Sequence, residues 1–332
     1  MPMTASSVRL SDGRSLTVAP GRQPETSAAV LIVNYKAYDE LQVCLASLMP
    51  RLRPGDEVMV VDYQSDPRAL VGVSGRYPSV GTIPCRDNQG FAAGVNMAAA
   101  RTRAPYLLLL NPDTVVHGPI VQVLGDWLTS HPDVGVVAPR VLNPDGSVQA
   151  TARRFPNATT ALAGRSTWLT RRFPNNWLSR WNLVARDADA PADVDWVSGA
   201  CLMTRRDLFE RLGGLDERFF LYWEDADYCR RAAAAGARRT YLPSVSVTHT
   251  GGCSSDRSPA QSIRSFHRSA YWLYTKEARW WGRAMAQAVR GGLWLRGEWR
   301  VRRHVPLSEI DGRKPFQRPT EVARRTADVS VD

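Results

Sequence analysis

The sequence predicts an α/β fold: a mostly parallel central sheet with helices on both faces and a helical extension at the C-terminus. Short apolar runs alternate with helical segments between residues 28 and 138. Strands that are buried on both faces have continuous apolar runs of this kind. Polar residues stand at the ends of four of these runs, namely Asn34, Asp62, Asn88 and Asp113. Open α/β sheets bind ligands at that edge, so a ligand site is expected there.

The predicted elements follow in order along the chain. Strands are expected at residues 29–33, 57–61, 80–84, 106–110, 134–138, 240–242 and 245–248, with a further ordered segment at 194–204. Helices are expected at residues 39–48, 91–101, 119–130, 206–212, 226–235, 260–277 and 279–290. Glycine adopts the left-handed conformation that ends a helix, and Gly213-Gly214 and Gly236 are placed to do so. Gly291-Gly292 is expected to interrupt the last helix.

Four segments make up the predicted domain organisation. They are a poorly ordered leader at 1–27 with a hairpin signal at Asp12-Gly13, a main domain at 28–275, a basic amphipathic helical extension at 276–304 and a flexible tail at 305–332. Within the main domain, residues 151–192 are rich in Arg, Pro, Trp and Asn and show no hydrophobic periodicity. A long loop region is expected there.

The positive charge of the chain is concentrated near its C-terminus. The 332 residues include 43 Lys and Arg against 32 Asp and Glu, a formal charge of +11, and residues 279–303 hold seven Arg and one Glu. A nucleic-acid binder with basic charge spread over the fold is therefore disfavoured. Trp280, with arginines on another helical face, suits an anionic membrane surface. The alternative is a core-facing amphipathic helix with a solvated basic side.

Cysteine usage and hydropathy indicate the compartment. The five cysteines are scattered and never form a C-x-x-C pair, so a disulfide framework or a zinc site is disfavoured and a reducing compartment is expected. The first residues lack the apolar core of a signal peptide, and no window reaches the roughly 18 apolar residues that span a bilayer. The expected location is the cytoplasm, with peripheral contact to the inner face of the cell membrane.

Two strand-end residues are candidate cation ligands. Asp113 closes a strand in Leu-Asn-Pro-Asp-Thr (110–114), where a carboxylate could hold a hard divalent cation that takes diphosphate oxygens as its other ligands. A helix N-cap or turn aspartate is the alternative for Asp113 and for Asp62. Asp62 would also suit a ribose hydroxyl. His249 ends a strand before Gly251-Gly252 and is either a structural histidine or a ligand that manganese accepts.

The segment Asn-Gln-Gly-Phe-Ala-Ala-Gly-Val-Asn (88–96) is a small-residue loop that opens a helix. Gly90 and Gly94 permit close backbone approach, and helix N-terminal amides attract anions. Tight packing of the helix on a strand is the alternative interpretation. The segment matches neither a G-x-G-x-x-G fingerprint nor a P-loop, so a dinucleotide site is disfavoured.

The densest group of chemically active residues is Phe219 to Arg230. Glu224, Asp225 and Asp227 follow an aromatic run and sit at a helix start, where the helix dipole favours their ionised form. An ionised carboxylate beside a ring-lined pocket is suited to act as general base for a sugar hydroxyl. Asp225 is the predicted base, whereas Asp227 is interpreted as structural, paired with Arg230 or Arg231.

Together these segments resemble glycosyltransferase family 2, which has the GT-A nucleotide-diphospho-sugar transferase fold. The matching motifs are Val-Leu-Ile-Val-Asn-Tyr (30–35), Val-Val-Asp-Tyr-Gln-Ser-Asp (60–66), the 88–96 loop, Leu-Asn-Pro-Asp-Thr (110–114), Ser-Gly-Ala-Cys-Leu-Met-Thr-Arg-Arg (198–206), residues 213–231 and Val-Thr-His (247–249). The chain is similar to the bacterial rhamnosyltransferase branch, in which dTDP-rhamnose donates to a polyprenyl-diphosphate-linked glycan in cell-wall or O-antigen assembly. This resemblance implies a donor-binding half at 28–140 and an acceptor and catalytic half at 193–258.

The resemblance also implies roles for individual residues. Asn34, Asp62, Asn88, Gly90, Gly94 and Asn111 would bind the donor, Asp113 and His249 a Mn²⁺ or Mg²⁺ ion, Asp225 with Glu224 would supply the inverting base, and Trp223 and Tyr222 would contact the acceptor. Asn111 departs from the family pattern, since many members have an aspartate there. No Gln-x-x-Arg-Trp segment is present, so one sugar is expected to be added rather than a polymer. The polar loop at 251–259 is a candidate lid over the donor.

Two other functions stay open at this point. A nucleotidyltransferase on a related fold would carry a Gly-rich basic loop after the first strand, and residues 34–38 have no glycine. A membrane-associated scaffold that binds nucleotide sugar without turnover would not need the Glu224-Asp225 pair. An inverting, metal-dependent glycosyltransferase is therefore the favoured hypothesis.

Overall fold

The computed structural model of the chain describes residues 7–9, 15–17, 27–155, 189–251, 258–278 and 280–304. The strands are β1 (Ser7–Arg9), β2 (Ser15–Thr17), β3 (Ala28–Tyr35), β4 (Glu57–Tyr63), β5 (Val80–Cys85), β6 (Tyr106–Leu110), β7 (Thr114–His117), β8 (Val134–Leu142), β9 (Ala152–Arg153), β10 (Ala192–Asp193), β11 (Trp196–Val197), β12 (Cys201–Arg205) and β13 (Arg238–His249). The helices are α1 (Tyr38–Leu48), α2 (Pro67–Arg76), α3 (Phe91–Ala99), α4 (Ile120–Ser130), α5 (Arg206–Arg211), α6 (Glu224–Ala234), α7 (Pro259–Glu277), α8 (Trp280–Ala284) and α9 (Ala286–His304).

The main sheet has the strand order β10-β13-β8-β12-β6-β3-β4-β5, with β7 paired to β13. The predicted α/β class is confirmed. The sheet is mixed, because β12 runs antiparallel to both of its neighbours while β5, β4, β3 and β6 run parallel. The carboxyl ends of those four parallel strands consequently share one edge of the sheet.

Strand β3 shows why the apolar runs are continuous. Every residue from Ala28 to Ile32 has no exposed surface. Ala29, Leu31 and Val33 join the hydrophobic cluster that also contains α3 and α6 residues, whereas Ala28, Val30 and Ile32 join the cluster under α1 and α4. Because both faces of the strand are covered, both sets of alternating side chains must be apolar.

The short strand β7, which the sequence analysis did not predict, positions one end of the site. After β6 the chain turns through Asn111, Pro112 and Asp113, and β7 then pairs antiparallel with the end of β13, with Thr114 opposite His249. This pairing brings Asp113 next to His249, which lies 136 positions further along the chain. A four-residue strand that follows another so closely leaves no separate apolar run by which to predict it.

Two predicted boundaries are wrong. The short strands expected at 240–242 and 245–248 are one strand, β13, whose pairing with β8 shifts register between Leu242 and Ser246, around Pro243. Helix α9 continues through Gly291-Gly292, and the interruption lies at Met285 instead. The two glycines face open space, while Gly297 and Val301 are buried and Gly297 packs against His267 of α7. Contact with α7 therefore holds α9 helical despite its glycines.

Several expectations fall wholly or partly outside the described residues. The hairpin predicted in the leader forms between β1 and β2, with Ser7 opposite Thr17. The long loop region is described only at its ends, where β9 pairs with β11, and residues 156–188 lie outside the description. Most of the candidate lid, Arg279, the side chain of Trp280 and the tail from residue 305 also lie outside it.

Candidate active site

A cleft opens at the carboxyl edge of the parallel strands. Its walls come from the ends of β3, β4, β6 and β13, the start of α3, the 220–222 segment and the start of α7. The lining residues are Val33, Tyr35, Tyr63, Asn88, Gly90, Phe91, Asn111, Pro112, Asp113, Phe220, Leu221, Tyr222, His249, Ser258, Gln261 and Ser262. Six of the predicted site residues are among them: Asn88, Gly90, Asn111, Asp113, Tyr222 and His249.

Asp113 and His249 form the most polar part of the cleft. The His249 Nε2 atom lies 3.3 Å from Asp113 Oδ1 and 3.2 Å from Asn111 Nδ2. The Thr250 amide donates to the Asp113 carbonyl at 3.1 Å, which ties the end of β13 to the turn after β6. Asp113 is 9% exposed, so its carboxylate is largely withdrawn from bulk water.

The chemistry of this pair fits a cation. Gln149 Oε1 lies 2.9 Å from His249 Nδ1, and because a carbonyl oxygen can only accept, Nδ1 carries a proton. In the neutral form of the ring, Nε2 is a lone pair that faces a carboxylate oxygen, an arrangement that a bound cation would stabilise. No third His, Cys, Asp or Glu joins the pair within the described part of the chain. Diphosphate oxygens and water would complete the shell of a divalent ion, as is common for hard cations.

Asn34 and Asp62 lie behind the cleft rather than in its wall. Both are fully buried, and Asn34 Nδ2 donates to Asp62 Oδ1 at 2.7 Å. The Tyr38 hydroxyl donates to Asp62 Oδ2 at 2.8 Å, and burial, with a further contribution from Asp62, raises the pKa of Tyr38 to about 12. Both Asp62 oxygens are thus engaged within the protein. A donor-binding role for Asn34 and Asp62 stays a prediction.

The two glycines of the 88–96 segment serve close packing. Gly90 has φ +96°, and a Cβ there would lie 2.4 Å from the carbonyl oxygen of Phe220. The next residue, Phe91, donates its amide to that same carbonyl at 2.8 Å. Gly94 faces β3, where a Cβ would come within 2.9 Å of both Val33 methyl groups. Gly94 does not line the cleft, so its predicted contact with the donor remains untested.

The 220–223 segment carries two bulky residues in the left-handed conformation. Tyr222 has φ 69° and Trp223 has φ 72°. Such values are rare for aromatic residues, and strained backbone of this kind concentrates at functional sites. Neighbouring elements hold the segment: Ser269 of α7 donates its hydroxyl to the Leu221 carbonyl at 3.0 Å, and the amide of Asp227 donates to the Trp223 carbonyl at 2.9 Å. Tyr222 lines the cleft, whereas Trp223 is not a lining residue and its ring lies against Trp196 and Phe266.

Asp225 is not among the residues that line the cleft; it lies next to Gly199, which also neighbours the Phe91 ring of the cleft wall. Its Oδ2 accepts from the Gly199 amide at 2.9 Å and its Oδ1 from the Ala226 amide at 2.7 Å. A Cβ built on Gly199 would lie 3.6 Å from both the Asp225 Cβ and the Phe91 ring. Burial raises the pKa of Asp225, while these amides and the charge of Arg153 lower it. The two amide donors favour the ionised carboxylate that a base requires.

Glu224 is in the opposite situation. It is 5% exposed, and its Oε2 has no hydrogen-bond partner among the described residues. Burial, followed by the charge of Asp225, raises the pKa of Glu224 well above its ordinary value. Burial thus raises the pKa of both adjacent carboxyls, but only Asp225 has backbone amide donors that favour its charged form.

Asp227 is structural, in line with its sequence interpretation. Its Oδ2 accepts from Arg231 Nε at 2.8 Å, one helical turn along α6, and Lys276 of α7 contacts its other oxygen. Lys276 also lies 2.9 Å from Asp216. These pairs join α6, α7 and the loop before α6.

Three lining residues lie at the start of α7; Gln261 and Ser262 were not predicted from the sequence, whereas Ser258 belongs to the predicted 251–259 loop. Ser258, Gln261 and Ser262 bring the N-terminal end of this 19-residue helix to the cleft. Helix N-termini carry partial positive charge and favour anions such as a diphosphate. Their sequence signal is weak, because serine and glutamine are common at any exposed helix start.

Comparison with known proteins identifies the family to which this chain belongs. Residues 24–282 match the family described as glycosyltransferase like family 2. The N-acetylglucosaminyl-diphospho-decaprenol L-rhamnosyltransferase of Mycobacterium tuberculosis (strain ATCC 25618 / H37Rv) is 31% identical over 304 residues, which cover 86% of this chain and 98% of the relative.

Two solved structures share the fold at low identity. GalNAc-T7, crystallised with UDP, GalNAc and Mn²⁺, has a TM-score of 0.53 and 14% identity over 67% of this chain and 43% of its own. The mannosyltransferase PcManGT from Pyrobaculum calidifontis, in complex with GDP-Man and Mn²⁺, has a TM-score of 0.50 and 15% identity over 90% and 78%. Both are glycosyltransferases, and the GT-A fold expected from the sequence is confirmed. None of the helices that the structure describes is long and apolar enough to cross a bilayer.

Proposed function

This chain belongs to glycosyltransferase family 2, and we propose that it moves one rhamnosyl group from dTDP-rhamnose to a hydroxyl of a polyprenyl-diphosphate-linked glycan, with inversion at the anomeric carbon. The observation that supports the proposal is the Asp113–His249 pair in the wall of the cleft. Asp225, a carboxylate held by two backbone amides, is proposed as the base; it lies next to Gly199, which neighbours the Phe91 ring of the cleft wall.

The reaction is a single displacement. Asp225 takes the proton of the acceptor hydroxyl as that oxygen bonds to the anomeric carbon. The bond from the anomeric carbon to the diphosphate breaks at the same time, and dTDP leaves with the electron pair. Positive charge builds on the ring carbon and oxygen in the transition state, as in other glycosyl chemistry. Tyr222 and Trp223 would form the wall against which the acceptor sugar lies.

Asp113 and His249 would hold a divalent cation, Mn²⁺ or Mg²⁺, bound together with the donor. A cation there would offset the negative charge that develops on the departing diphosphate. Asn111, uncharged where many family members have a carboxylate, donates to His249 and adds no charge of its own. The start of α7 would add its N-terminal dipole on the same side. Mn²⁺ in the two solved glycosyltransferase structures supports this assignment.

The donor and acceptor are inferred from the mycobacterial relative. Its name specifies an L-rhamnosyl group and an N-acetylglucosaminyl-diphospho-decaprenol acceptor, and the match extends over nearly the whole relative. The residues of the cleft support glycosyl transfer as the class of reaction, but they do not identify the sugar that is transferred. The identity of the donor therefore needs a direct test.

The experiment is a transfer assay with dTDP-rhamnose, a prenyl-diphosphate-linked N-acetylglucosamine and Mn²⁺. Asp225→Asn should lower kcat by roughly 10²–10⁴ while the dissociation constant for dTDP-rhamnose stays within about threefold. Asp207→Asn, on the exposed surface of α5, is the matched control and should behave like wild type. Normal turnover by Asp225→Asn would refute the base assignment.

Two further arms separate the parts of the proposal. Thermal shifts with dTDP-, UDP- and GDP-sugars identify the donor, and a larger shift with another nucleotide would overturn the dTDP assignment alone. Asp113→Ala should weaken donor binding when Mn²⁺ is present. Equal donor binding by wild type with and without a chelator would overturn the metal assignment.

We also propose that the enzyme works in the cytoplasm at the inner face of the cell membrane and binds it through residues 279–303. The outward side of α9 exposes Leu295 (62%) and Trp299 (55%), with Trp294 at its edge. Exposed Arg302 lies on this side, and the Arg303 guanidinium lies 5.1 Å from the Trp299 ring. Aromatic and arginine side chains together suit anionic lipid headgroups.

Helix α7 connects this surface to the cleft. The Gln261 side of α7 lines the cleft, while Gly297 of α9 packs on His267 and Glu298 accepts from Arg264 at 2.7 Å. A lipid-linked acceptor held at the membrane would therefore lie close to the site of transfer.

Co-sedimentation with vesicles tests the membrane proposal. Leu295→Ser with Trp299→Ser should weaken binding to phosphatidylglycerol vesicles by about tenfold or more, since each side chain contributes about 1.5–3 kcal/mol when buried. Val71→Ser, at an exposed position on α2, is the control. Unchanged binding by the double variant would contradict the assignment.

A further inference from the structure

We infer that Gln149 is a positioning residue for His249: it fixes the ring nitrogen that carries the proton and turns the other nitrogen toward Asp113. The inference rests on the proposed function, in which Asp113 and His249 face a cation and the donor diphosphate. Gln149 lies just after the turn that follows β8, 100 positions from His249 along the chain.

Both ends of the Gln149 side-chain amide contact His249. Gln149 Oε1 lies 2.9 Å from His249 Nδ1, and Gln149 Nε2 donates to the His249 carbonyl at 3.4 Å. The backbone amide of Gln149 donates to the Val141 carbonyl at 2.8 Å, so the residue is anchored to β8. The side chain therefore approaches His249 from a fixed position.

Neighbouring polar side chains fix which way the Gln149 side-chain amide points. Gln149 Nε2 also donates to Asn143 Oδ1 at 3.0 Å, and Asn143 Nδ2 donates to the Ser147 hydroxyl at 2.9 Å. The Ser147 hydroxyl in turn donates to the Asp145 carboxylate. An ionised carboxylate can only accept hydrogen bonds, and the pKa of Asp145 is lowered by its bonds from Ser147. Because the carboxylate must accept, each donor and acceptor in this series of hydrogen bonds, from Asp145 to Gln149, can be assigned in only one way.

The direction of the Gln149 amide determines which nitrogen of the His249 ring carries a proton. Because Asn143 accepts from Gln149 Nε2, Oε1 must face His249 and accept from Nδ1. In the neutral form of the ring, His249 Nε2 is therefore a lone pair, which accepts from Asn111 Nδ2 at 3.2 Å and lies 3.3 Å from Asp113 Oδ1. A hydrogen bond to the far nitrogen fixes the tautomer and orientation of a ligating histidine in this way.

Gly251 also borders the ring. At φ +68°, a Cβ built on it would be in ordinary van der Waals contact, 3.7 Å from His249 Cε1 and 4.0 Å from Gln149 Nε2. An apolar side chain at position 149 would fill the same space without choosing a tautomer. The series of hydrogen bonds from Asp145 to Gln149 is what orients His249 Nε2 toward Asp113.

Two measurements test the inference, and the first needs no metal. Nitrogen-15 NMR of the imidazoles at pH 8, where an ordinary histidine is neutral, should show His249 protonated at Nδ1 in the wild-type protein. The signals are assigned by their loss in His249→Gln. In Gln149→Leu the His249 signals should move to a mixture of tautomers, while Gln122→Leu, an exposed position on α4, should leave them unchanged. A wild-type His249 protonated at Nε2, or an unchanged tautomer in Gln149→Leu, would overturn the inference.

The second measurement is the affinity for Mn²⁺ in the presence of dTDP, followed by the electron paramagnetic resonance of free Mn²⁺. Gln149→Leu should weaken binding by about 10–100-fold, the usual effect of losing a partner of a ligating histidine. Gln149→Glu keeps an acceptor for Nδ1 and should recover most of the affinity. Wild-type affinity in Gln149→Leu would count against the inference. If wild type itself binds no Mn²⁺ while the tautomer still depends on Gln149, the metal assignment fails and the positioning role stands.

Discussion

Gly90 is the position where one added methyl group should disturb the site most. Its φ of +96° and ψ of 168° lie in a region that glycine occupies almost alone. A Cβ there would lie 2.4 Å from the Phe220 carbonyl oxygen and 2.9 Å from the Phe220 Cα. Both are backbone atoms, so no side-chain rotation can relieve the clash. The segment that leads to Tyr222 and Asp225 would have to move.

The expected cost of Gly90→Ala follows from these distances. The disallowed backbone contributes about 1–3 kcal/mol, and the displacement of packed atoms about 1–3 kcal/mol, so the total loss of stability is about 2–6 kcal/mol. Gly118→Ala is the matched control, because Gly118 has φ +73° but nothing within 4 Å of an added Cβ. It should cost only the backbone contribution, about 1–2 kcal/mol.

Urea unfolding and the transfer assay together decide the point. Gly90→Ala should lose more stability than Gly118→Ala, and its folded fraction should also lose turnover, because the hydrogen bond from the Phe91 amide to the Phe220 carbonyl holds the 220–225 segment. Gly118→Ala should retain full turnover per folded molecule. Equal losses in the two variants would refute the argument from close approach.

Two further predictions concern the start of α6. Burial raises the pKa of Glu224 well above 4.5, so folding stability falls as the pH rises from about 4.5 through the folded pKa. Glu224→Gln should therefore have a higher Tm than wild type at pH 8 and a flatter pH dependence, and identical pH profiles would contradict this. Asp227→Asn should cost about 1.5–3 kcal/mol, since it removes the buried charge that Arg231 and Lys276 share, while Lys276 keeps Asp216 and Arg231 keeps two backbone carbonyls. Asp207→Asn, in an exposed pair with Arg211, should cost less than about 1 kcal/mol in the same unfolding experiment.

The parts of the fold that could be predicted are those with a local cause. The buried parallel strands follow from apolar runs such as 28–33, and the polar residues at their ends mark the edge of the sheet where the cleft lies. Asp113 and His249 were predicted from their strand-end positions, and the structure brings them together. The α6 carboxylates follow from charge density at a helix start.

The parts that could not be predicted depend on distant contacts. Gln149 has no motif of its own, and its position beside His249 depends on how the turn after β8 meets the end of β13. The left-handed Tyr222 and Trp223 are held by the hydroxyl of Ser269 and other remote groups, so their propensities gave no signal. Helix α9 crosses two glycines because α7 packs against it, a tertiary effect that outweighs local preference.

The loop before β12 explains how the two ends of the site keep their separation. The Gly199 amide binds the Asp225 carboxylate, and the carbonyl of the next residue, Ala200, accepts from the Asn111 amide at 3.0 Å. Asn111 in turn contacts His249. The backbone of Gly199-Ala200 thus connects the proposed base, Asp225, to the turn after β6 that carries the proposed cation ligand Asp113. Because peptide units are planar and stiff, this connection limits how far the two ends can drift apart without requiring a rigid side chain at either end.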